Sequence, residues 1–377
     1  MKLMHISDLH LGKRVNEISM LEDQRYILEE ILRIAQEQTV DGILASGDIY
    51  DKTVPSAEAV LLLDWFLTEV SKKKIPIFLI SGNHDSAERL AFGAHLLDKG
   101  GIYISPVYEG KTEPITLKDS YGEVRVYGVP FLKPAAVRRF FPERKIETYQ
   151  DAFEVVMESL NLNLAERNVL IAHQFFAGAE RCESEELSVG GLDVIRADAL
   201  GKFDYVALGH LHRPQKLGRE TVRYCGTPLK YSFSEANDQK SVSIVELKEK
   251  GNICVETIPL KPRHDLREIR GSYEEITLLE NYKNTKTDDY MHITLTDEED
   301  IPNAVGKLRV IYPNLMKLDY DNRRTREYRS VEHTEMEEKK SPLEYFMEFY
   351  QLQNNQEMSG QQRDYLLEKI ECVWGDE

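Results

Sequence analysis

The sequence predicts an α/β fold, in which a parallel sheet covered by helices is joined by a second, more antiparallel sheet as the other half of a layered core. Three observations predict it. Apolar β-rich runs alternate with segments of helical spacing from the first residues onward, the pattern of repeated βαβ units. Between 107 and 130 the spacing changes to alternating β-formers with turn residues, through Ile115, Leu117, Val124, Val126 and Val129. Further on, two more apolar runs stop abruptly at histidine, which suits buried strands that open onto functional loops.

A chain of 377 residues, 41% of them hydrophobic, can bury a sizeable core and form two or three domains. No apolar stretch approaches the roughly 20 residues of a membrane span, and the N-terminus enters a strand without a basic-then-apolar leader. A cytoplasmic protein with no membrane segment is therefore expected. Cys182, Cys225, Cys254 and Cys372 have no paired spacing, so neither a disulfide framework nor a zinc knuckle is signalled. The formal charge of -17 is the wrong sign for binding nucleic acid by charge alone, and much of it lies in the tail, where 331–377 carries four Lys/Arg against twelve Asp/Glu. Local cation clusters between Lys133 and Lys145 and at Arg323-Arg324-Thr325-Arg326 read as solvated faces.

In chain order, Leu3-Met4-His5-Ile6-Ser7 leads into Asp8-Leu9-His10, and Leu11-Gly12-Lys13-Arg14 then brings two cations beside it. Ser19 with Glu22 predicts a capping box, opening a helix with Tyr26, Ile27, Ile31, Ile34 and Ala35 on one face. The run Asp41 to Ala45 ends at Ser46-Gly47-Asp48. A helix from Ser56 to Ser71 follows, with Val60, Leu63, Leu67 and Val70 on its apolar face and Trp65 and Phe66 as core. The run Ile75 to Ile80 leads into Ser81-Gly82-Asn83-His84-Asp85. After a helical Asp151 to Leu164, Val169 to Ala172 ends at His173, and Tyr205 to Gly209 leads into His210-Leu211-His212; Glu180 to Val189 reads as an acidic surface loop between them. The turn Gly226-Thr227-Pro228 returns to the same rim, and Val242 to Leu247 with Ile253 to Ile258 forms a closing hairpin.

Pro259 to Arg263 is a domain exit. Beyond it, Arg267 to Gly271, His292 to Thr296, the helical Pro302 to Tyr312 and Leu315 to Leu318 make a small α+β module, giving domains at 1–260 and 261–320, a polar linker at 321–340 and a helical segment at 341–377. Ser341-Pro342-Leu343-Glu344 is a strong helix start, followed by Phe346, Phe349 and Tyr350; Ser359 with Gln362 repeats the device before Leu366, Ile370, Val373 and Trp374. Two short amphipathic helices cannot bury such faces on each other, so they dock either on the body of the chain or on a partner protein. The long charged linker favours the partner.

Asp, Asn and His without cysteine form a ligand set for Mn²⁺, Mg²⁺ or Fe²⁺, or for zinc in a catalytic site. The candidates are Asp8, His10, Asp48, Asn83, His173, His210 and His212, more than one ion needs and enough for two ions bridged by a carboxylate. Such a pair supports in-line phosphoryl transfer, with His84 as the general acid for the leaving alkoxide and Asp85 as a carboxylate able to orient either neighbour.

Asp8-x-His10, Gly47-Asp48, Gly82-Asn83-His84-Asp85, His173 and Gly209-His210-x-His212 together resemble the calcineurin-like metallophosphoesterase superfamily. The resemblance implies a two-sheet β-sandwich flanked by helices. It also implies that Asp8, His10, Asp48 and His212 bind one metal and Asp48, Asn83, His173 and His210 the other, with Asp48 bridging and His84 as proton donor. The runs His5 to Lys13 and Ala45 to Asp51, with Gly226-Thr227-Pro228-Leu229, are similar to the bacterial SbcD nucleases, as are Pro262 to Arg267 and the tail. That likeness implies two divalent ions, Mn²⁺ foremost, and a DNA substrate, with 261–320 as a DNA-capping domain. Residues 341–377 would bind a coiled-coil ATPase partner of the SbcC type, in a two-plus-two assembly built on a homodimer. Asp51 stands where archaeal and eukaryotic relatives place a histidine thought to help position the phosphate. The function expected is a Mn²⁺-dependent DNA nuclease subunit, double-strand exonuclease and single-strand or hairpin endonuclease, acting in DNA repair. The alternatives are a stand-alone small-molecule phosphodiesterase or phosphatase of the same superfamily, and a non-catalytic scaffold.

Overall fold

The computed structural model describes residues 1–105, 107–180, 194–323, 325, 342–354 and 358–374. These fall into two compact units, one of 1–268 with 288–292 and the other of 269–287 with 293–377. No helix among the described residues is long and apolar enough to cross a membrane.

Two six-stranded sheets pack face to face in the first unit. In the first sheet the strand order is Ile253–Pro259, Ser241–Leu247, Lys2–Ile6, Gly42–Ala45, Ile77–Ile80, Ile102–Ser105. In the second it is Gln215–Leu217, Arg219–Tyr224, Tyr205–Gly209, Arg167–His173, Gly122–Val129, Ile115–Asp119. The two-sheet sandwich flanked by helices is the observed fold. The second sheet is not the more antiparallel one, however: each sheet has three parallel and two antiparallel pairings. The alternating stretch 107–130 revealed only one hairpin, Ile115–Asp119 with Gly122–Val129; the parallel strands behind it are buried on both faces and do not alternate.

The period of two along each strand sorts the core into layers. Leu3, Leu44, Phe78 and Ile80 of one sheet meet Val124, Val126, Val169, Ile171, Tyr205 and Ala207 of the other. Their neighbours Leu170 and Ala172 face outward onto the helix Tyr149–Ser159, through Phe153 and Val156. Each Val, Leu, Ile or Phe among them, fully buried, contributes about 1.5–3 kcal/mol. The helices Leu21–Glu37 and Ala57–Lys72 bury Ile27, Ile31, Ile34 and Ala35, and Leu63, Phe66, Leu67 and Val70. Tyr26 and Val60 prove exposed, while Arg25 lies 4.2 Å over the half-buried Trp65 ring.

The expected capping box at Ser19 is absent, because Ser19 pairs with Arg14 in a two-residue hairpin and Met20 becomes the helix boundary. Ser56 does cap its helix, accepting the Ala59 N–H at 3.3 Å. The helix foreseen over 151–164 runs instead from Tyr149 to Ser159 behind a Thr148–Asp151 box. The closing hairpin forms between Ser241–Leu247 and Ile253–Pro259.

The second unit holds a sheet in the order Leu266–Gly271, Tyr290–Leu295, Leu315–Tyr320, whose first two strands begin in the first unit. The helix Tyr273–Thr277 is boxed by Ser272 and Glu275, and Ile276, Leu308 and Leu315 are buried. The tail helices are Pro342–Asn354 and Gly360–Trp374; Ser359 and Gln362 cap the second reciprocally, and Gln362 Nε2 donates to the Tyr350 hydroxyl at 3.0 Å. Ser341, the acidic stretch 181–189 and most of the linker lie outside the described residues.

Candidate metal centre

Five loops meet on one rim because five parallel strands end there. Lys2–Ile6, Gly42–Ala45 and Ile77–Ile80 are neighbours in the first sheet, and Arg167–His173 and Tyr205–Gly209 in the second, with His173 in register with Gly209. Such carboxyl ends are where open α/β sheets carry ligands. The chain turns sharply there: Asp8 (φ 51°), His10 (φ 44°), Asp48 (φ 48°) and His210 (φ 102°) occupy positive φ, a concentration of backbone strain typical of functional sites. The loops are tied to one another, since the Asp8 and His10 amides donate to the Gly47 and Asp48 carbonyls at 3.1 and 2.9 Å. The sheets come so close that a Cβ on Gly209 would lie 1.9 Å from the Ser46 carbonyl oxygen, and within the first sheet's rim one on Gly82 would lie 2.0 Å from Asp48 Oδ1.

Asp48 lies in the middle. Its Oδ2 is 3.3 Å from His173 Nε2, 3.7 Å from His10 Nε2 and 4.0 Å from His84 Nε2. Its Oδ1 accepts the His84 amide at 2.9 Å. His10 Nε2 faces His212 Nε2 at 3.2 Å, and Asn83 Oδ1 lies 3.0 Å from His173 Nε2 and 2.9 Å from His210 Nδ1. Asp8 accepts the His210 amide at 3.0 Å and the Ser7 hydroxyl. All seven candidate ligands are thus brought together, and His84 with them.

Asp85 sits differently. Its carboxylate turns onto the amides of Ile49, Tyr50 and Gly82 at 3.0, 2.8 and 2.9 Å, fastening the Gly-Asp loop to the Gly-Asn-His-Asp loop. Arg14 also leaves the site, bonding the Glu17 carbonyl within its own hairpin.

The tautomers follow from the acceptors. His173 Nδ1 is 2.7 Å from the Ser46 carbonyl and His84 Nδ1 3.1 Å from the Asp51 carbonyl. A carbonyl only accepts, so both rings carry their proton on Nδ1 and, when neutral, present the Nε2 lone pair inward. At His173 that lone pair meets Asn83 Oδ1 and Asp48 Oδ2, three acceptors converging with no donor between them. The arrangement calls for a cation. The charge there is strongly negative: burial alone would lower the His173 pKa, but Asp48, with Asp8 beyond it, outweighs burial and raises it, so with no ion bound a proton on Nε2 supplies the positive charge. Asp48, which burial would raise, is held well below the usual carboxylate range by His173, His10 and His84. Burial and the Asp48 charge push Asp85 up, against the three amides.

The donor set fits a divalent ion. Asp8, His10 and His212, then His10, Asp48 and His84, then Asp8, Asp48 and His173 each offer three atoms within 4.8 Å of one another. Ligands at about 2.0–2.2 Å from one ion are separated by no more than about 4.4 Å, so small adjustments suffice.

Several contributors carried no sequence signal. Fully buried Glu235 lies 3.8 Å from His212 Nδ1 and pairs with Lys240 at 2.6 Å; Lys240 also holds the His212 carbonyl. Burial would raise the Glu235 carboxyl, but His212 and Lys240 bring it down to about 2. The Phe131 ring stacks beside His210 at 6.4 Å, and His5 holds Ser46 Oγ at 3.0 Å. Glu235 sits in the short 3-10 helix Phe233–Glu235 and Phe131 in a loop, neither with any periodicity, and only their proximity in the fold identifies them.

The family model for the calcineurin-like phosphoesterases matches residues 1–214, and that for the type 5 capsule protein repressor C-terminal domain matches 262–354. The D subunit of the SbcCD nuclease of Staphylococcus epidermidis is 36% identical over 323 residues, spanning 84% of this chain and 85% of the relative. The protein of the same name from Staphylococcus saprophyticus is 34% identical over 322 residues, 84% of each chain. Among solved structures, TT1561 of Thermus thermophilus matches at TM-score 0.38 and 13% identity, covering 68% of this chain and 98% of its own. A dimetal phosphatase from Danio rerio matches at TM-score 0.40 and 11% identity, covering 69% and 99%.

Proposed function

The chain belongs to the calcineurin-like phosphoesterase family and, within it, to the SbcD nuclease subunits, and from that membership we propose how it works as a metal-dependent nuclease. It is a Mn²⁺-dependent DNA phosphodiesterase, a double-strand exonuclease and single-strand or hairpin endonuclease. Asp8, His10, Asp48 and His212 hold one ion; Asp48, Asn83, His173 and His210 hold the other. The observation that carries this is the Asp48 carboxylate, whose Oδ2 lies within 3.3 Å of His173 and 3.7 Å of His10, between two sets of inward-facing nitrogens. Ions bound there supply Lewis-acid charge to the phosphoryl oxygens and lower the pKa of the attacking water.

The chain's own groups do the rest. His84 has Nδ1 fixed by the Asp51 carbonyl and Nε2 turned to the centre, so the protonated ring can deliver its Nε2 proton to the leaving alkoxide. Asp85 keeps that loop in place through three amides, and Glu235 orients His212 from behind, as carboxylates commonly do for ligand histidines.

The partner is an SbcC-like coiled-coil ATPase bound through 341–377. The relatives' name, which makes each of them one subunit of an SbcCD nuclease, supports this, as do exposed Tyr345, Phe346 and Phe349 on the helix Pro342–Asn354. Residues 1–260 are the nuclease domain, 261–320 the DNA-capping domain and 321–340 the linker. A homodimer within a two-plus-two complex draws on exposed Leu61, Phe92 and Leu96, and the complex works in the cytoplasm, on the nucleoid when engaged.

The test is cleavage of an end-labelled linear duplex by the full chain with Mn²⁺, with and without the ATPase partner and ATP, against Asp48→Ala. Asp48-dependent cleavage that rises with the partner is expected. Turnover of small phosphodiesters alone, with the duplex untouched in both conditions, would point to a stand-alone phosphodiesterase.

A further inference from the structure

Lys13 is placed for a role that the ligand set leaves open. The loop that carries it is clamped to the Gly-Asp loop: the Leu11 amide donates to the Ile49 carbonyl at 2.9 Å, and the Asp51 amide to the Leu11 carbonyl at 3.2 Å. The Gly12 amide is held by Gln24 Oε1 at 2.9 Å and the Lys13 amide by the His10 carbonyl at 3.0 Å. From this fixed backbone Lys13 Nζ reaches Asp51 Oδ1 at 2.8 Å, with one fifth of its side chain still open to solvent. Asp51 Oδ1 is also 3.8 Å from His10 Nδ1, and the Asp51 carbonyl holds His84. One residue thus holds both groups, the ammonium through its carboxylate and the imidazole through its carbonyl.

The pairing is loose in direction. Among the described residues Asp51 Oδ1 is buried with no well-aligned hydrogen bond, so Lys13 is held by charge, and an ammonium has three donors to offer. Arg14, the neighbouring cation, is turned away. A phosphodiester gains negative charge on its non-bridging oxygens as the attacking oxygen adds. A cation fixed beforehand at that point lowers the barrier without reorganising.

We propose that Lys13, positioned by Asp51, contacts a non-bridging oxygen of the scissile phosphodiester and stabilises the charge that develops there. This rests on the nuclease reading of the same centre. The bland alternative is that Lys13 only neutralises Asp51, and the two readings separate in a double variant.

The experiment uses the full chain with Mn²⁺ and bis(p-nitrophenyl) phosphate, for wild type, Lys13→Met, Lys13→Arg and Lys13→Met/Asp51→Asn, with Mn²⁺ affinity measured by titration calorimetry on each. Lys13→Met is expected to lower kcat about 10- to 100-fold, with KM changed less than about threefold and Mn²⁺ affinity unchanged. Lys13→Arg should recover part of the loss, and the double variant should stay slow. The sulfur penalty, measured with the corresponding phosphorothioate diester, should shrink in Lys13→Met. Recovery of kcat in the double variant overturns the proposal, as does a loss that follows Mn²⁺ affinity or KM alone. A wild-type chain that binds Mn²⁺ but turns over neither the diester nor DNA would instead refute the nuclease reading itself.

Discussion

Replacing Gly209 by alanine tests how closely the two sheets must approach to build the site. The new Cβ would sit 1.9 Å from the Ser46 carbonyl oxygen and 2.8 Å from His173 Nδ1. A carbon–oxygen contact needs roughly 3.2 Å, so backbone must shift by more than about 1 Å. That same carbonyl accepts the His173 Nδ1–H at 2.7 Å, so the shift breaks a buried hydrogen bond as well as straining the strand end. Overpacking costs about 1–3 kcal/mol and a lost buried bond another 1–3, giving a destabilisation of about 2–6 kcal/mol. Because His173 moves with the carbonyl, a displacement near 1 Å should also lower turnover about 100-fold. Urea unfolding and Mn²⁺-dependent hydrolysis of bis(p-nitrophenyl) phosphate read the two effects. Gly201→Ala is the control, since nothing lies within 4 Å of its Cβ. A Gly209→Ala chain as stable and as active as Gly201→Ala would refute the reasoning.

Two other outcomes follow from the same geometry. His84→Asn should retain Mn²⁺ binding yet lose DNA cleavage by about 100-fold or more, while an activated p-nitrophenyl diester, whose leaving group needs no proton, loses far less; equal losses on both substrates would remove His84 as the acid. Burial, with Arg223 adding to it, lowers the His5 imidazole from its ordinary 6.5 to about 3. Its folded pKa is the lower one, so its contribution is whole above pH 6.5 and is lost as pH falls toward 3, by up to about 1.4 kcal/mol per pH unit. Urea midpoints between about pH 7.5 and 4.5 should therefore fall more steeply in wild type than in His5→Gln, and parallel slopes would count against a buried neutral His5.

The rim was legible because a buried parallel strand is an unbroken apolar run, and the residue after it marks the loop. That rule put Asp8, Asp48, Asn83, His173 and His210 in one place without any contact known. The signals that failed were local ones with a competitor. Ser19 had the spacing of a cap, but Arg14 across a tight hairpin took it. Alternation over 107–130 was real yet described an edge hairpin, while the parallel strands beside it left no period to read. Asp85 shares the loop of Asn83 and His84, and only the fold reveals that the Ile49, Tyr50 and Gly82 amides claim its carboxylate. Glu235 reaches His212 by tertiary packing, for which sequence spacing offers no cue.

In the proposed centre one carboxylate, Asp48, serves two ions, and titrating Mn²⁺ into the full chain and into Asp48→Ala tests this most directly. Two ions per chain are expected in the wild type, with both affinities weakened in Asp48→Ala because the shared ligand is gone. A single ion in the wild type, or an Asp48→Ala chain that loses one ion while the other binds unchanged, would contradict it.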